Sequence, residues 1–250
     1  MNRIVSSELF KLRTTRTFYA LAGSALGIVL LITVAAALAT KFHGSGGNRP
    51  EDLLGIGNFA QIFALILGIL AVTTEFRHGT ITPSLLAVPD RVRLTLGKFG
   101  ASLLVGLALG VLSVGISTLL VLGLLSARGV DTDFPSGEVL YSVLGGILAV
   151  VLYAGIGVGV GAIVRNQVGA IVGALVWLFV VEGLLGIIPT VGDWISEYGP
   201  GGAGSALGDS SGDRGAHTMD QLPAGIVLAG YCLLFLAVGV HMMRRRDITA

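Results

Sequence analysis

Residues able to do chemistry are scarce in this chain, and the densest set fills one polar stretch between two apolar runs. From Thr74 to Lys98 it reads TEFRHGTITPSLLAVPDRVRLTLGK. It brings together an acid (Glu75), an Arg–His pair (Arg77, His78), a Gly–Thr step (Gly79, Thr80), a Pro–Asp step (Pro89, Asp90) and the cations Arg91, Arg93 and Lys98. An acid, several cations and hydroxyls in this pattern suit ion pairing and hydrogen bonding to another surface. Catalysis would need more: a nucleophile beside its base, or convergent metal ligands. No Ser–His–Asp arrangement occurs, and none of the four histidines (His43, His78, His217, His241) falls well inside an apolar run. Lys98 follows Gly97, but no glycine stands five positions before Gly97 and Phe99 replaces the required hydroxyl residue. That excludes a phosphate-cradling nucleotide loop. No catalytic and no metal-binding residue is expected, and the chain is not expected to hydrolyse ATP itself.

The stretch divides into three. Residues 75–80 leave the preceding apolar run, and Gly79 allows a sharp change of direction. Thr80 or Thr82 is placed to cap a following helix, with Pro83 in its first turn. Residues 84–88, with Ser84, Leu85 and Leu86, then form a short helix. Pro89-Asp90 breaks it, and residues 89–98 return to the membrane with their basic side chains at the headgroups. The middle piece is the expected contact with a partner. The plainer alternative is a loop that only sets topology.

The elements that must position these residues are overwhelmingly apolar. The chain of 250 residues is 53% hydrophobic and only 12% charged, with a mean hydropathy of +0.86. Soluble domains carry about 25% charged residues, so this composition points to an integral membrane protein. Six apolar runs reach the roughly 20 residues that a bilayer crossing needs: 18–40, 56–74, 100–125, 139–164, 168–188 and 223–243. Only Arg165-Asn166-Gln167 separates the fourth from the fifth, which predicts a tight helical hairpin. With the N-terminus in the cytoplasm, 12 of the 16 basic residues fall on the inner side, including Arg77, Arg91, Arg93, Lys98, Arg165 and Arg244–Arg246. Eleven of the 15 acids fall on or near the outer side. The positive-inside rule therefore predicts both termini in the cytoplasm. The expected fold is an all-α integral membrane protein with six transmembrane helices over 18–243, an N-terminal amphipathic interface helix over 1–17 and a basic tail over 244–250. In the leader, Val5, Leu9 and Leu12 recur at helical spacing while Arg3, Lys11 and Arg13 lie off that stripe, as in a helix on the inner membrane surface. A plain basic leader is the alternative. A signal peptide cut near Ala37-Leu38-Ala39 is disfavoured by the length of the apolar run before it.

The remaining features have ordinary readings. Glycines recur at four-residue spacing as Gly23/Gly27, Gly106/Gly110, Gly155/Gly159, Gly157/Gly161 and Gly169/Gly173, which lets helices approach closely. Lining of a transport path is the sharper alternative for the Gly155–Gly161 series. Glu182 stands about two turns inside the outer end of the fifth span, where an acid is costly unless it faces protein or water. It is a functional candidate, or a structural acid bonded to a neighbouring helix or located at the headgroups. Trp177 on the same span reads as packing. Cys232, the one cysteine, supports neither a disulfide nor a metal site. The outer loop 189–222 opens with Trp194, Ile195 and Tyr198, suited to a short interfacial helix, and continues as a Gly/Ser/Asp segment read as flexible. Asp209, Asp213, Asp220 and His217 fit no calcium-loop spacing, and His43 reads as a solvated surface residue. Arg244–Arg246 is a stop-transfer cluster.

At these residues the chain resembles the membrane subunit of an ATP-binding-cassette (ABC) transporter of the type-2 permease family. The motifs are SSELFKLRTTRTF from Ser6, EFRHGTI from Glu75 continuing through LLAVPDRVRLTLGK to Lys98, and RRRDI from Arg244. The resemblance implies two permease subunits, each docked to a separate cytoplasmic ABC ATPase that holds ATP and Mg, in the cytoplasmic membrane of a bacterial cell. It implies no cofactor on this chain, and its partners are the ATPase, a second permease and the lipid bilayer, with no nucleic acid. Substrates in the family leave the cytoplasm or inner leaflet and include drugs, lipids, peptides and polysaccharides. Carried over by position, Glu75, Arg77, Gly79 and Thr80 belong to the coupling region, and Pro89, Arg93 and Lys98 end it, around the contact at Ser84, Leu85 and Leu86. The family often has two short outer helices before its last span. Here the Gly-rich composition beyond about Tyr198 speaks against the second.

Three rivals are weighed. A secondary transporter or channel would place ionisable residues near mid-membrane and often show inverted repeats; only Glu182 is a candidate, and no repeat is evident. An intramembrane enzyme lacks its nucleophile and base. A non-transporting accessory or immunity-type membrane subunit would look much the same in sequence.

Overall fold

A computed structural model of the chain describes residues 2–40, 50–130, 136–208 and 219–245. Among them every regular element is a helix. Helix α1 (Asn2–Thr14) is joined through Thr15 to α2 (Arg16–Ala39). A 3-10 segment (Pro50–Phe59) runs into α3 (Ala60–Arg77), followed by the short α4 (Ile81–Ala87) and the long α5 (Arg91–Ala127). Then come α6 (Ser136–Val164), α7 (Gln167–Val176), a π-helical turn (Trp177–Val181) and α8 (Glu182–Leu185). Two short helices, α9 (Val191–Tyr198) and α10 (Pro200–Gly208), precede the last span, α11 (Gln221–Arg245). Six stretches among the described residues are long and apolar enough to cross a membrane: Arg16–Ala39, Pro50–Arg77, Arg91–Ala127, Val139–Val164, Gln167–Leu185 and Gln221–Arg245. The protein is a multi-pass, all-α membrane protein.

The centre of the bundle is α6, packed between α3, α5 and α11. Glycine makes this possible, because helix axes can close only where side chains are missing. A Cβ on Gly157 would run into the Leu65 carbonyl oxygen and lie 2.9 Å from the Ile69 nitrogen; one on Gly159 would lie 2.6 Å from the Phe235 carbonyl carbon. The Gly155–Gly161 series thus serves three helices: Gly157 and Gly161 face α3, Gly159 faces α11, and Gly155 meets Phe99 of α5 and Cys232 of α11. Gly106 and Gly110 press on α6 in the same way. The other two expected pairs differ. Among the described residues Gly23, Gly27 and Gly173 have nothing within 4 Å, so they seat no described helix. Burial separates the spans: 61% of the most apolar window is buried in the spans containing α3 and α6, but only 6% in the fifth.

The structure corrects two sequence expectations about element boundaries. The helix that carries the third apolar run begins before it, at Arg91. Asp90 caps α5, its carboxylate accepting hydrogen bonds from the Val92 and Arg93 backbone N–H groups at 2.9 and 3.2 Å. The expected return over 89–98 is therefore mostly the first two turns of α5, and Lys98 is buried instead of lying at headgroups. The second correction concerns residues 200–208, expected to be a flexible continuation. They form α10, with Ala203, Gly204, Ala206, Leu207 and Gly208 buried. Its glycines are close-packing residues: a Cβ on Gly204 would meet the Tyr153 ring at 2.7 Å, and one on Gly208 would meet Asn58 at 2.7 Å. Side chains from neighbouring helices bind its backbone. Asn58 donates to the Gly204 carbonyl at 2.7 Å, Ser142 to Gly208 at 2.8 Å and Tyr153 to Pro200 at 2.7 Å. The expected interfacial helix at Trp194–Tyr198 is α9, where the two aromatic rings stack 5.8 Å apart. His43, Arg49, Asp209, Asp213, His217 and the tail from Arg246 lie outside the described residues.

Candidate coupling site

The polar stretch after the second span takes its shape from backbone geometry. Gly79 adopts φ +66°, the left-handed conformation that favours glycine, and the chain turns there from α3 into α4. Thr80 occupies the position before α4 but its side chain makes no capping hydrogen bond, which differs from the expected Thr cap. Pro83 stands in the first turn, where its missing N–H has no helical partner to lose. The short helix expected at 84–88 is α4 (Ile81–Ala87). Ile81 is buried, and Leu85 and Val88 pack with it against Val72 and Leu94. Leu86 points the other way and is 80% exposed.

Beneath α4 lies a cluster of four charges. The Lys98 ammonium on α5 donates to Glu8 Oε2 at 2.7 Å and to the Ala71 carbonyl at 3.1 Å, and it pairs with Glu75 Oε1 at 2.7 Å. Lys11 on α1 donates to Glu8 Oε1 at 2.7 Å, Glu75 Oε1 at 2.9 Å and Ser84 Oγ at 3.4 Å. Ser84 in turn donates to Glu75 at 3.3 Å. Two acids and two cations thus join α1, α3, α4 and α5 with no net charge. Burying charge is costly unless it is paired and hydrogen-bonded, and Glu8, Glu75 and Lys98 are all buried. Burial pulls the Lys11 pKa down, but the hydrogen bonds and charges of Glu8 and Glu75 outweigh it and raise the ammonium above its ordinary value of 10.5.

The candidate residues divide by this geometry. Glu75, Ser84 and Lys98 are brought together and bonded within the chain. Arg77, Gly79, Thr80, Leu86, Pro89 and Arg93 are exposed, with Arg77 donating to Gln167 at the start of α7 at 3.2 Å and Arg93 pairing with Asp90 at 3.2 Å. Glu8 was missed. Its signal was available as the single acid in a basic leader, three residues before Lys11. The predicted apolar stripe of α1 is also incomplete, because its docking seam includes these two charges. Ile4 packs on the bare backbone at Gly97 and Val5 lies against Gly100, so α1 is seated on α5.

At the same end Arg91 and Arg165 donate to the Met243 and Met242 carbonyls at 3.1 and 3.0 Å, matching cations to the C-terminus of α11. The predicted fourth–fifth hairpin turns on Arg165 at φ +56°, and Asn166 caps α7 by accepting from Gly169 N–H at 2.8 Å. Glu182 sits at the opposite end. Its carboxylate accepts the Gly201 N–H at 3.0 Å, at the start of α10, where the positive end of a helix favours an anion. That bond is the kind of partner a structural acid needs. Trp177, Tyr153 and Tyr231 line an apolar cavity of about 270 Å³ near it.

A family model described as "ABC-2 family transporter protein" matches residues 4–181, a stretch that holds α1, the charge cluster, α4 and the first five spans up to the π-helical turn. No match is found among curated proteins.

Proposed function

This chain belongs to the ABC-2 family of transporter membrane proteins, and we propose that it is the permease subunit of an ABC exporter, driven by ATP hydrolysis on a separate ATPase chain. In this reading both termini and the α4 end face the cytoplasm of a bacterial cell, and the ATPase docks there. The supporting observation is the mounting of α4. Its tip presents Leu86, 80% exposed, while Ser84 on its inner face touches a buried charge cluster rooted in α1, α3 and α5. A push on Leu86 then acts on two spans and the N-terminal helix together.

The roles of the ten candidate residues follow from their places. Leu86, Thr80, Arg77, Pro89 and Arg93 form the surface a partner can touch. Gly79 sets the turn, Leu85 seats α4, and Glu75, Ser84 and Lys98 transmit its position. ATP and Mg on the partner supply the driving force. Coupling requires the loop to make different contacts in the two nucleotide states. A second permease subunit completes the transport path. The fifth span supports this pairing, because it is the least buried and exposes Val168, Val172, Phe179, Val180 and Leu184.

The test is affinity purification of the full chain from its native membranes, with ATPase activity measured in the eluate. ATPase activity is expected to co-purify and to be lost with Leu86→Asp, while the variant keeps the parent's elution profile. Absence of a co-purifying ATPase, or equal recovery with Leu86→Asp, refutes the coupling assignment.

A further inference from the structure

A cleft of about 490 Å³ opens beside the charge cluster, between the α1–α2 junction and the end of α3. Its floor is apolar, with Phe18, Leu67 and Leu70. Its rim carries Arg77, His78 and the hydroxyls of Thr17, Thr74 and Thr80. The two acids in its wall, Glu8 and Glu75, are neutralised by Lys11 and Lys98, which leaves the Arg77 guanidinium as the net charge of the cleft. Arg77 is exposed and spends one N–H on Gln167; a guanidinium has five.

The cleft also has a defined height. Arg77 is the last residue of the second span, Gln167 the first of the fifth, and Phe18 lies two residues into the first. The rim therefore falls at the membrane boundary and the floor falls inside it. A cationic, hydroxyl-rich rim over an apolar floor matches a molecule with a phosphate head and an acyl chain. Arginine binds phosphate through paired N–H donors, and leucine and phenylalanine surfaces match hydrocarbon.

We infer that this cleft holds one membrane phospholipid, its phosphate on Arg77 and His78 and its acyl chain along Phe18, Leu67 and Leu70. A lipid seated there touches α1, α3 and the first residue of α7 at once. It shares a wall with Lys11, Glu75 and Ser84, so its presence favours the arrangement of α4 seen here. The inference depends on membrane insertion and not on the ATPase reading.

The test uses the full chain, with any subunit that co-purifies, titrated with phosphatidylglycerol in detergent and read by native mass spectrometry. Arg77→Gln is expected to weaken the tightest-bound lipid by about tenfold, the loss of charge-assisted hydrogen bonds. Arg3→Gln, an exposed cation of α1 outside the cleft, serves as the control and is expected to leave it unchanged. Equal losses in both variants would mean diffuse surface attraction and overturn the site, as would no loss in either. A second arm separates a resident lipid from cargo. In vesicles holding headgroup-labelled phosphatidylglycerol and supplied with ATP, the label is expected to stay in its leaflet. Its ATP-dependent transfer would make the lipid a substrate and overturn the resident assignment. If no ATPase co-purifies, the titration alone decides the site, so failure of the two readings is told apart.

Discussion

Replacing Lys98 with methionine isolates the charge cluster. The ammonium uses all three of its protons: two on carboxylates at 2.7 Å and one on the Ala71 carbonyl at 3.1 Å. Methionine has similar length and no charge, so it fills the same space and removes only the bonds. Two carboxylates would then share Lys11, leaving one buried negative charge without a partner. Charge-assisted hydrogen bonds contribute about 1.5–3 kcal/mol each, and breaking a buried pair costs about 3–5 kcal/mol because the abandoned charge stays buried. Lys98→Met is therefore expected to lower unfolding free energy by about 3–5 kcal/mol. Adding Glu8→Gln restores neutrality, leaving Lys11 with Glu75. The double variant should recover at least about 1 kcal/mol relative to the sum of the singles. The assay is denaturant titration of the purified chain in mixed micelles, followed by Trp177 and Trp194 fluorescence. A change under about 0.5 kcal/mol for Lys98→Met, or strict additivity in the double variant, would refute the reasoning, since surface substitutions without partners fall in that range.

Gly157→Ala should destabilise the chain by about 1–3 kcal/mol, because its Cβ meets α3 backbone; Gly27→Ala, with nothing within 4 Å, should change the same titration little. Glu182→Gln weakens the anion at the start of α10, and amide hydrogen exchange over 200–208 should accelerate several-fold, for a loss of about 1 kcal/mol. The pH dependence of the cluster has a definite sign. Lys11 has its pKa raised above 10.5 in the folded protein, so its contribution is fully present below that value. It is lost as pH rises through the folded value. The stability difference between parent and Lys11→Met should be flat from neutral pH up to about 10 and shrink only at higher alkalinity. A difference that instead shrinks between pH 7 and 9 would contradict the assignment.

Much of the architecture was legible one residue at a time. Apolar runs of bilayer length, the Arg165–Gln167 break and the Gly79/Pro83/Pro89 punctuation specify spans and turns through local rules, and α4 falls where those rules put it. The cap at Asp90 is legible too, as an acid directly before the first turn of α5, although Pro89-Asp90 reads first as a break. The candidate site divided differently. Leu86 was found as part of a short helix, whereas its exposure depends on Ile81 and Leu85 packing beneath it. Glu75 and Lys98 looked like solvated loop charges of the kind a partner reads. Only folding puts them beside Glu8, 67 positions from Glu75 and 90 from Lys98.

Composition and periodicity by themselves determined that this is a helical membrane protein with six spans and one charged bend between the second and third. Such facts depend on transfer free energy and helical repeat, which each segment carries alone. Tertiary structure decided what the charges and glycines do. Glycine is the same residue in a flexible linker and in a tight helix contact, and the residues of α10 read as the first while serving as the second. A carboxylate is likewise indistinguishable, along a chain, from one that waits for a partner and one that already has it. Glu75 and Lys98 have theirs, because burial admits a charge only where the fold brings its counterpart.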